Sequence, residues 1–234
     1  MRSGPTSGHG RVDHILVSVR GLDEAIDRWG QAGLVAVPGG THPTGTTNAL
    51  VRGQRHAYLE LIDASDESTH ATALSVRSRV GPLSWAVNVD DLETSRDRLK
   101  QFGLVTSEPV AGSRVAPTGE AYAWQFCEVT EDALHPFIPF LIQWEVGMST
   151  GPADGPDIVS MTLEVPEPSW LAELLVCCGL DQPHRSDDSI VLSDGEVEIS
   201  LHHGSCGIVS VGWSPGSLDA PVVLDGLICT IHTP

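Results

Sequence analysis

Three stretches of this 234-residue chain open alike and close alike at one fixed distance, and any fold has to accommodate all three. Apolar runs at residues 13–19, 83–89 and 159–165 each lead into a segment of helical spacing that stops at a Gly-Leu pair: Gly33-Leu34, Gly103-Leu104 and Gly179-Leu180. The offset is 19 from His14 to Gly33, from Ser84 to Gly103 and from Ser160 to Gly179. A threefold match with one closing dipeptide points to an internal duplication. A period of about 70 residues is too long for a solenoid repeat. It suits a small supersecondary module used several times, with a shared site between modules.

The first module reads most clearly. A β-branched run at 14–19 precedes apolar residues at 22, 25, 26, 29 and 32, one face of a helix. Asp23 and Glu24 favour its start and Gly33 its stop. Residues 34–37 read as a strand and 38–45 as a loop rich in Gly and Pro; 47–52 and 57–62 read as strands around Gly53-Gln54. The second module repeats the order, with a strand at 83–89, a helix at 92–102 and strands near 104–107, 121–128 and 138–146. Polar residues 63–80 suggest a linker with a partial helix, and the breakers of 147–156 mark the better domain boundary. The third module has a strand at 158–165, a helix at 170–178 and strands at 190–192, 196–202, 208–213 and 227–232, with Asp194-Gly195 as a hairpin turn. That is more strand than one module needs.

Charge narrows the partners. Thirteen Lys and Arg against 31 Asp and Glu give a net charge of −18, a surface that repels nucleic-acid phosphates and anionic lipid. No apolar run approaches the ~20 residues of a membrane span, and residues 1–10 read as a flexible arm without the apolar stretch of a secretion signal. Five cysteines without a C-x-x-C pair imply free, mostly core thiols in a reducing cytoplasm. There is no phosphate loop, nucleophile elbow, H-E-x-x-H or dinucleotide fingerprint. Metal-assisted chemistry or plain small-molecule binding is left.

The order of these pieces, together with Asp13-His14, residues 38–43 (Pro-Gly-Gly-Thr-His-Pro), 46–50 (Thr-Thr-Asn-Ala-Leu), 58–62 (Tyr-Leu-Glu-Leu-Ile) and 139–144 (Pro-Phe-Leu-Ile-Gln-Trp), resembles the vicinal oxygen chelate superfamily, and within it the glyoxalase-like proteins. The resemblance covers residues 11–147 well and 157–234 more weakly. It implies an α+β fold in which tandem βαβββ modules over 11–147 form a U-shaped, eight-stranded cleft, with 157–234 as a third, partial module.

It also implies a divalent metal (Zn, Mn, Fe or Ni) held by first-strand and last-strand residues of each module, which would polarise a small oxygenated substrate. Carried onto this sequence, those positions are His14 and Glu60 in the first module, with Gln143 opposite Glu60 and Ser84 opposite His14 in the second. Gln is a weak neutral ligand and Ser weaker still. His42, His56 and His135 are the histidines in reach of completing such a shell. Glu60 is also the candidate catalytic base. His42, Asn48, Ser84 and Trp144 are candidate substrate contacts, and Trp85 and Trp124 also come from the second module's strands. The function expected is a metal-assisted lyase or isomerase; the alternative is a metal-free binding or sequestering protein of the resistance type. Because the third module has no evident mate in the chain, and 208–211 and 222–224 are apolar, a homodimer is expected.

Overall fold

The first module runs β1 (Arg11–Ser18), α1 (Leu22–Gln31), β2 (Ala36–Thr41), β3 (Thr46–Val51), β4 (Tyr58–Ala64). After α2 (Ala71–Ser78) the second follows as β5 (Gly81–Asn88), α3 (Leu92–Gln101), β6 (Val110–Val115), β7 (Ala121–Cys127), β8 (Phe140–Trp144). This computed structural model describes residues 9–130, 134–145, 148, 150–186, 188–214, 216 and 218–231. Most of the arm expected over 1–10 therefore lies outside the described residues. The helix spacing works as the sequence implies: α1 buries Ala25 and Trp29, and α3 buries Leu92 and Leu99 behind an Asp91 cap whose carboxylate accepts the Thr94 N–H at 2.8 Å.

β1 and β5 lie side by side and antiparallel, and the eight strands follow the order β1-β4-β3-β2-β6-β7-β8-β5. The U closes into a barrel at one bridge, Thr41 against Val115. Gly40 makes that seam possible. Its φ is 132°, and a Cβ there would run into the Val115 carbonyl. The loop expected over 38–45 is thus a bulged strand as far as Thr41. No strand forms at 104–107, where Val105 is 85% exposed; the module's second strand is β6, at 110–115.

The third module is complete: β9 (Ile158–Val165), α4 (Pro168–Cys177), β10 (His184–Arg185), β11 (Ile190–Ser193), β12 (Glu198–His203). Beyond it lie β13 (Gly207–Trp213), β14 (Val222–Leu224) and β15 (Leu227–Ile231), in a sheet ordered β10-β11-β12-β9-β13-β15-β14. β13 runs antiparallel to β9 and parallel to β15, just as β5 runs antiparallel to β1 and parallel to β8. The described residues of 207–231 are therefore a fourth module reduced to three strands, with no helix among them. The half-domain expected over 157–234 is a pair. Of the apolar residues of 208–211 and 222–224, which motivated a homodimer, Ile208, Val211 and Leu224 are buried within the chain, whereas Val223 is 65% exposed.

One apolar core, from Val12 and Trp29 through Leu99, Leu171 and Trp213, runs through α1, α3, α4 and both sheets. A smaller cluster (Leu16, Ile62, Leu83, Phe140, Ile142) lies inside the barrel. All five cysteines are free thiols, with Cys127, Cys178 and Cys229 buried. No helix among the described residues is long and apolar enough to cross a membrane.

Candidate functional site

The barrel interior holds a cavity of about 460 Å³. Its body is apolar and aromatic, with Leu16, Ile62, Trp124, Phe126, Phe140 and Trp144 on the walls. The Trp124 and Trp144 ring centroids are 5.1 Å apart. Its polar end gathers His14, His42, Asn48, Glu60 and Arg114. Such a division, large apolar walls with few convergent polar groups, is what small-molecule sites look like.

The polar end is built from strand geometry. β1 and β4 are parallel, with His14 beside Tyr58 and Leu16 beside Glu60. His14 and Glu60 both face inward, 5% and 6% exposed, with the His14 ring stacked on Tyr58 at 5.1 Å. A register shift against β5 between Val12 and His14 is a bulge that lets Asp13 turn inward as well. Asp13 accepts from His14 Nδ1 at 2.6 Å, Trp144 Nε1 at 2.8 Å and His56 Nε2 at 3.2 Å. Burial alone would push this carboxyl up, but the hydrogen bonds and charge of His14 and His56 hold it far below the usual carboxylate range. An ionised Asp13 fixes the His14 tautomer and leaves Nε2 facing Glu60 Oε2 at 3.6 Å. Asn48 Nδ2 donates to Glu60 Oε1 at 2.9 Å. His42 pairs with Thr46 Oγ1 at 2.8 Å, and burial lowers its pKa, keeping the ring neutral.

Of the residues singled out in the sequence, His14, His42, Asn48, Glu60 and Trp144 come together on this cavity. Gln143 does not. It points to the opposite face of β8, where its Oε1 accepts the Leu92 N–H at 2.9 Å and caps α3. Ser84 donates its hydroxyl to the His135 carbonyl at 3.0 Å and is not among the cavity walls. His56 stands behind Asp13, and His135 Nδ1 faces the Phe137 and Ile138 amides. Trp85 is fully buried against the Phe137 carbonyl. The sequence reading missed Arg114, which sits on β6 where no strand was expected. It also assigned no role to Asp13, although the Asp13-His14 pair was the available signal.

Whether these residues fit a metal turns on the second module. A separation of 3.6 Å between Nε2 and Oε2 is one that two ligands of a single ion can have, and Asp13 braces Nδ1 as a carboxylate behind a liganding His does. The counterpart of the Leu16–Glu60 pair, however, is Ala86–Phe140, so Phe140 rather than Gln143 occupies the fourth-strand position. The counterpart of His14 remains Ser84. Among the described residues no three His, Cys, Asp or Glu side chains converge. Two protein ligands fall short of the three that catalytic sites such as those of zinc supply, so the donor set does not fit a resident metal.

The Glyoxalase-like domain family model matches residues 12–177. No curated protein matches the sequence. Among solved structures, a hypothetical protein from Staphylococcus aureus superposes with a TM-score of 0.77 at 17% identity, over 95% of this chain and 99% of that one. The likeness therefore runs through both sheets. A mutant of 4-hydroxymandelate synthase from Streptomyces coelicolor gives 0.55 at 15% identity, over 88% and 71% of the two chains. The 2,3-dioxygenase LapB from Pseudomonas sp. KL28 gives 0.54 at 14%, over 87% and 74%. At these identities the likeness is one of fold. With the family model covering most of its length, the chain belongs to the glyoxalase-like domain family.

Proposed function

We propose that the chain is a lyase or isomerase that moves a proton on a small oxygenated substrate, with Glu60 as the base and without a resident metal. The observation that carries this reading is the buried Asp13–His14–Glu60–Asn48 array opening on an otherwise apolar cavity. Two carboxylates and an imidazole taken out of water weaken a fold more often than they stabilise it. Such a cluster in a cleft marks chemistry. His14, braced by Asp13, is placed to take over or return the proton that Glu60 removes.

The test is solvent exchange. Small carbonyl and hydroxy compounds in D2O, followed by proton NMR, should lose a carbon-bound proton with the wild-type protein. Glu60→Gln should slow that exchange by ~100-fold or more, and dialysis against EDTA should leave it unchanged. A stoichiometric metal that survives dialysis and is lost in His14→Ala would overturn the metal-free reading. A second reading, a binding protein without chemistry, is favoured by Ser84 and Phe140 in the second module's counterpart positions. Saturable binding by calorimetry with no exchange for any bound compound would decide for it.

A further inference from the structure

Among the described residues Arg114 is a cation without a counter-ion, in a place where charge is costly. Its side chain reaches from β6 to the cavity wall and is 5% exposed. Nη1 donates to the Gly39 carbonyl at 2.7 Å, Nη2 turns to the Met148 thioether, and the guanidinium lies over the Tyr122 ring at 5.1 Å. A carbonyl, a thioether and a ring are weak company for five N–H donors and a full positive charge. Among the described residues no carboxylate lies within ion-pair distance of it.

The neighbouring orphan is of the opposite kind. Asn48 is 2% exposed, and its Oδ1 has no hydrogen-bond partner among the described residues. The Nδ2–Glu60 bond fixes which way the amide points, because a carboxylate oxygen accepts and does not donate. Oδ1 and Arg114 Nη1 converge on the space beside Gly39, where a side-chain Cβ would run into both. Asn48 and Arg114 both line the cavity whose aromatic walls are Trp124, Phe126, Phe140 and Trp144. Surplus positive charge with donors, one unpaired acceptor and an aromatic wall together define a ligand.

We propose that Arg114 and Asn48 form the head-group subsite of the cleft, and that its substrate is an organic acid carrying a hydroxyl or amine next to the carboxylate and an aromatic or branched body. The carboxylate lies on Arg114 in the fork geometry a guanidinium offers. The adjacent donor satisfies Asn48 Oδ1, and the body lies against Trp124, Phe126, Phe140 and Trp144. This rests on the reading of the cavity as a substrate site.

Calorimetry on the full chain with three probes tests it: 3-phenyllactate, 3-phenylpropanoate, which lacks the hydroxyl, and methyl 3-phenyllactate, which lacks the charge. Phenyllactate should bind saturably, phenylpropanoate several-fold more weakly, and the ester at least tenfold more weakly. Arg114→Gln should bring the acid down to the level of the ester. The comparison among probes on the wild-type protein stands even if that variant does not fold. An ester that binds as well as the acid would overturn the subsite while leaving the cleft a small-molecule site. Undiminished binding of the acid by a folded Arg114→Gln protein, or no saturable binding of either acid at millimolar concentration, would overturn it too. The proton-transfer reading fails separately, on the absence of Glu60-dependent exchange.

Discussion

At the scale of single residues the site depends on Asp13, and Asp13 depends on a bulge. Strict alternation along β1 would send Asp13 and His14 to opposite faces, yet the register shift after Val12 lets one carboxylate serve His14, His56 and Trp144. Asp13→Asn keeps the shape and removes the charge. It should destabilise the protein by ~3 kcal/mol in urea unfolding, since several donors lose their anionic acceptor. The His56 imidazole, raised above its usual pKa chiefly by its hydrogen bond to Asp13, should titrate lower by NMR. Glu128, on the cavity rim, offers a test with the opposite sign. Burial lifts its carboxyl from 4.5 to about 7. Between those values the folded state holds the proton more tightly than the unfolded chain, so this group weakens the fold as pH rises through the window. Glu128→Gln should be neutral near pH 4 and stabilise by about 1–2 kcal/mol at pH 8, less than the full shift implies because the side chain keeps some water contact. Unfolding at the two pH values checks it. His14 and Glu60 were singled out through the family resemblance, which places first-strand and last-strand residues at one site. Arg114 and Phe140 were not, because their meaning comes from strand register, which the sequence does not display.

At the scale of elements, helices were legible and the quiet strands were not. α1 and α3 carry spaced apolar positions, acidic starts and Gly-Leu stops, and they form where those signals put them. β6 carries no such signal. Only Arg114 among its residues is buried, so neither alternation nor an apolar run announced it, and Val105 nearby drew the expectation to 104–107 instead. Gly39 and Gly40 read as loop for the reason that they are glycines, whereas their actual use is close approach. Gly39 is the unpaired residue of a bulge whose carbonyl serves Arg114, and Gly40 lets β2 meet β6. Gly40→Ala should therefore do more than strain a backbone. The control is Gly119→Ala, also at positive φ (88°) but with nothing within 4 Å of the added methyl. The control should lose ~1 kcal/mol, and Gly40→Ala at least about twice that, because the Val115 carbonyl must move and the barrel seam opens. Equal losses for the two variants in thermal unfolding would show that the seam contributes nothing.

At the scale of the whole molecule, the threefold repeat in the sequence was a fourfold one with its last copy worn down. β13–β15 show no helix among the described residues, and the Gly226-Leu227 pair there opens β15 and does not stop a helix, so 207–231 lacks the strand–helix–Gly-Leu order that revealed the other three. Beside the shared apolar core, the hairpin turns of the second sheet tie it to the first. Asp194 in the β11–β12 turn accepts the Val12 N–H of β1 at 2.7 Å. Asp225, in the left-handed region at φ 45° before Gly226, turns β14 into β15 and accepts from Trp29 Nε1 and Arg28 Nη2, both at 2.7 Å. Exposed apolar side chains remain on both sheets, Val37, Val110 and Val115 along β2 and β6 and Val223 and Ile228 along β14 and β15, so a homodimer is still the expected assembly, and a light-scattering mass near the single-chain 24.9 kDa would rule it out. Asp225 is the sharper test of how the halves are joined. Trp29 is fully buried, so Asp225→Ala strands an indole N–H in the core and removes an anchor at once. The loss should be about 2–3 kcal/mol. Arg28→Ala removes only the more exposed partner and should cost less than ~1 kcal/mol. If Asp225→Ala is no worse than Arg28→Ala in denaturant unfolding, the β14–β15 turn is a bystander in joining the two sheets.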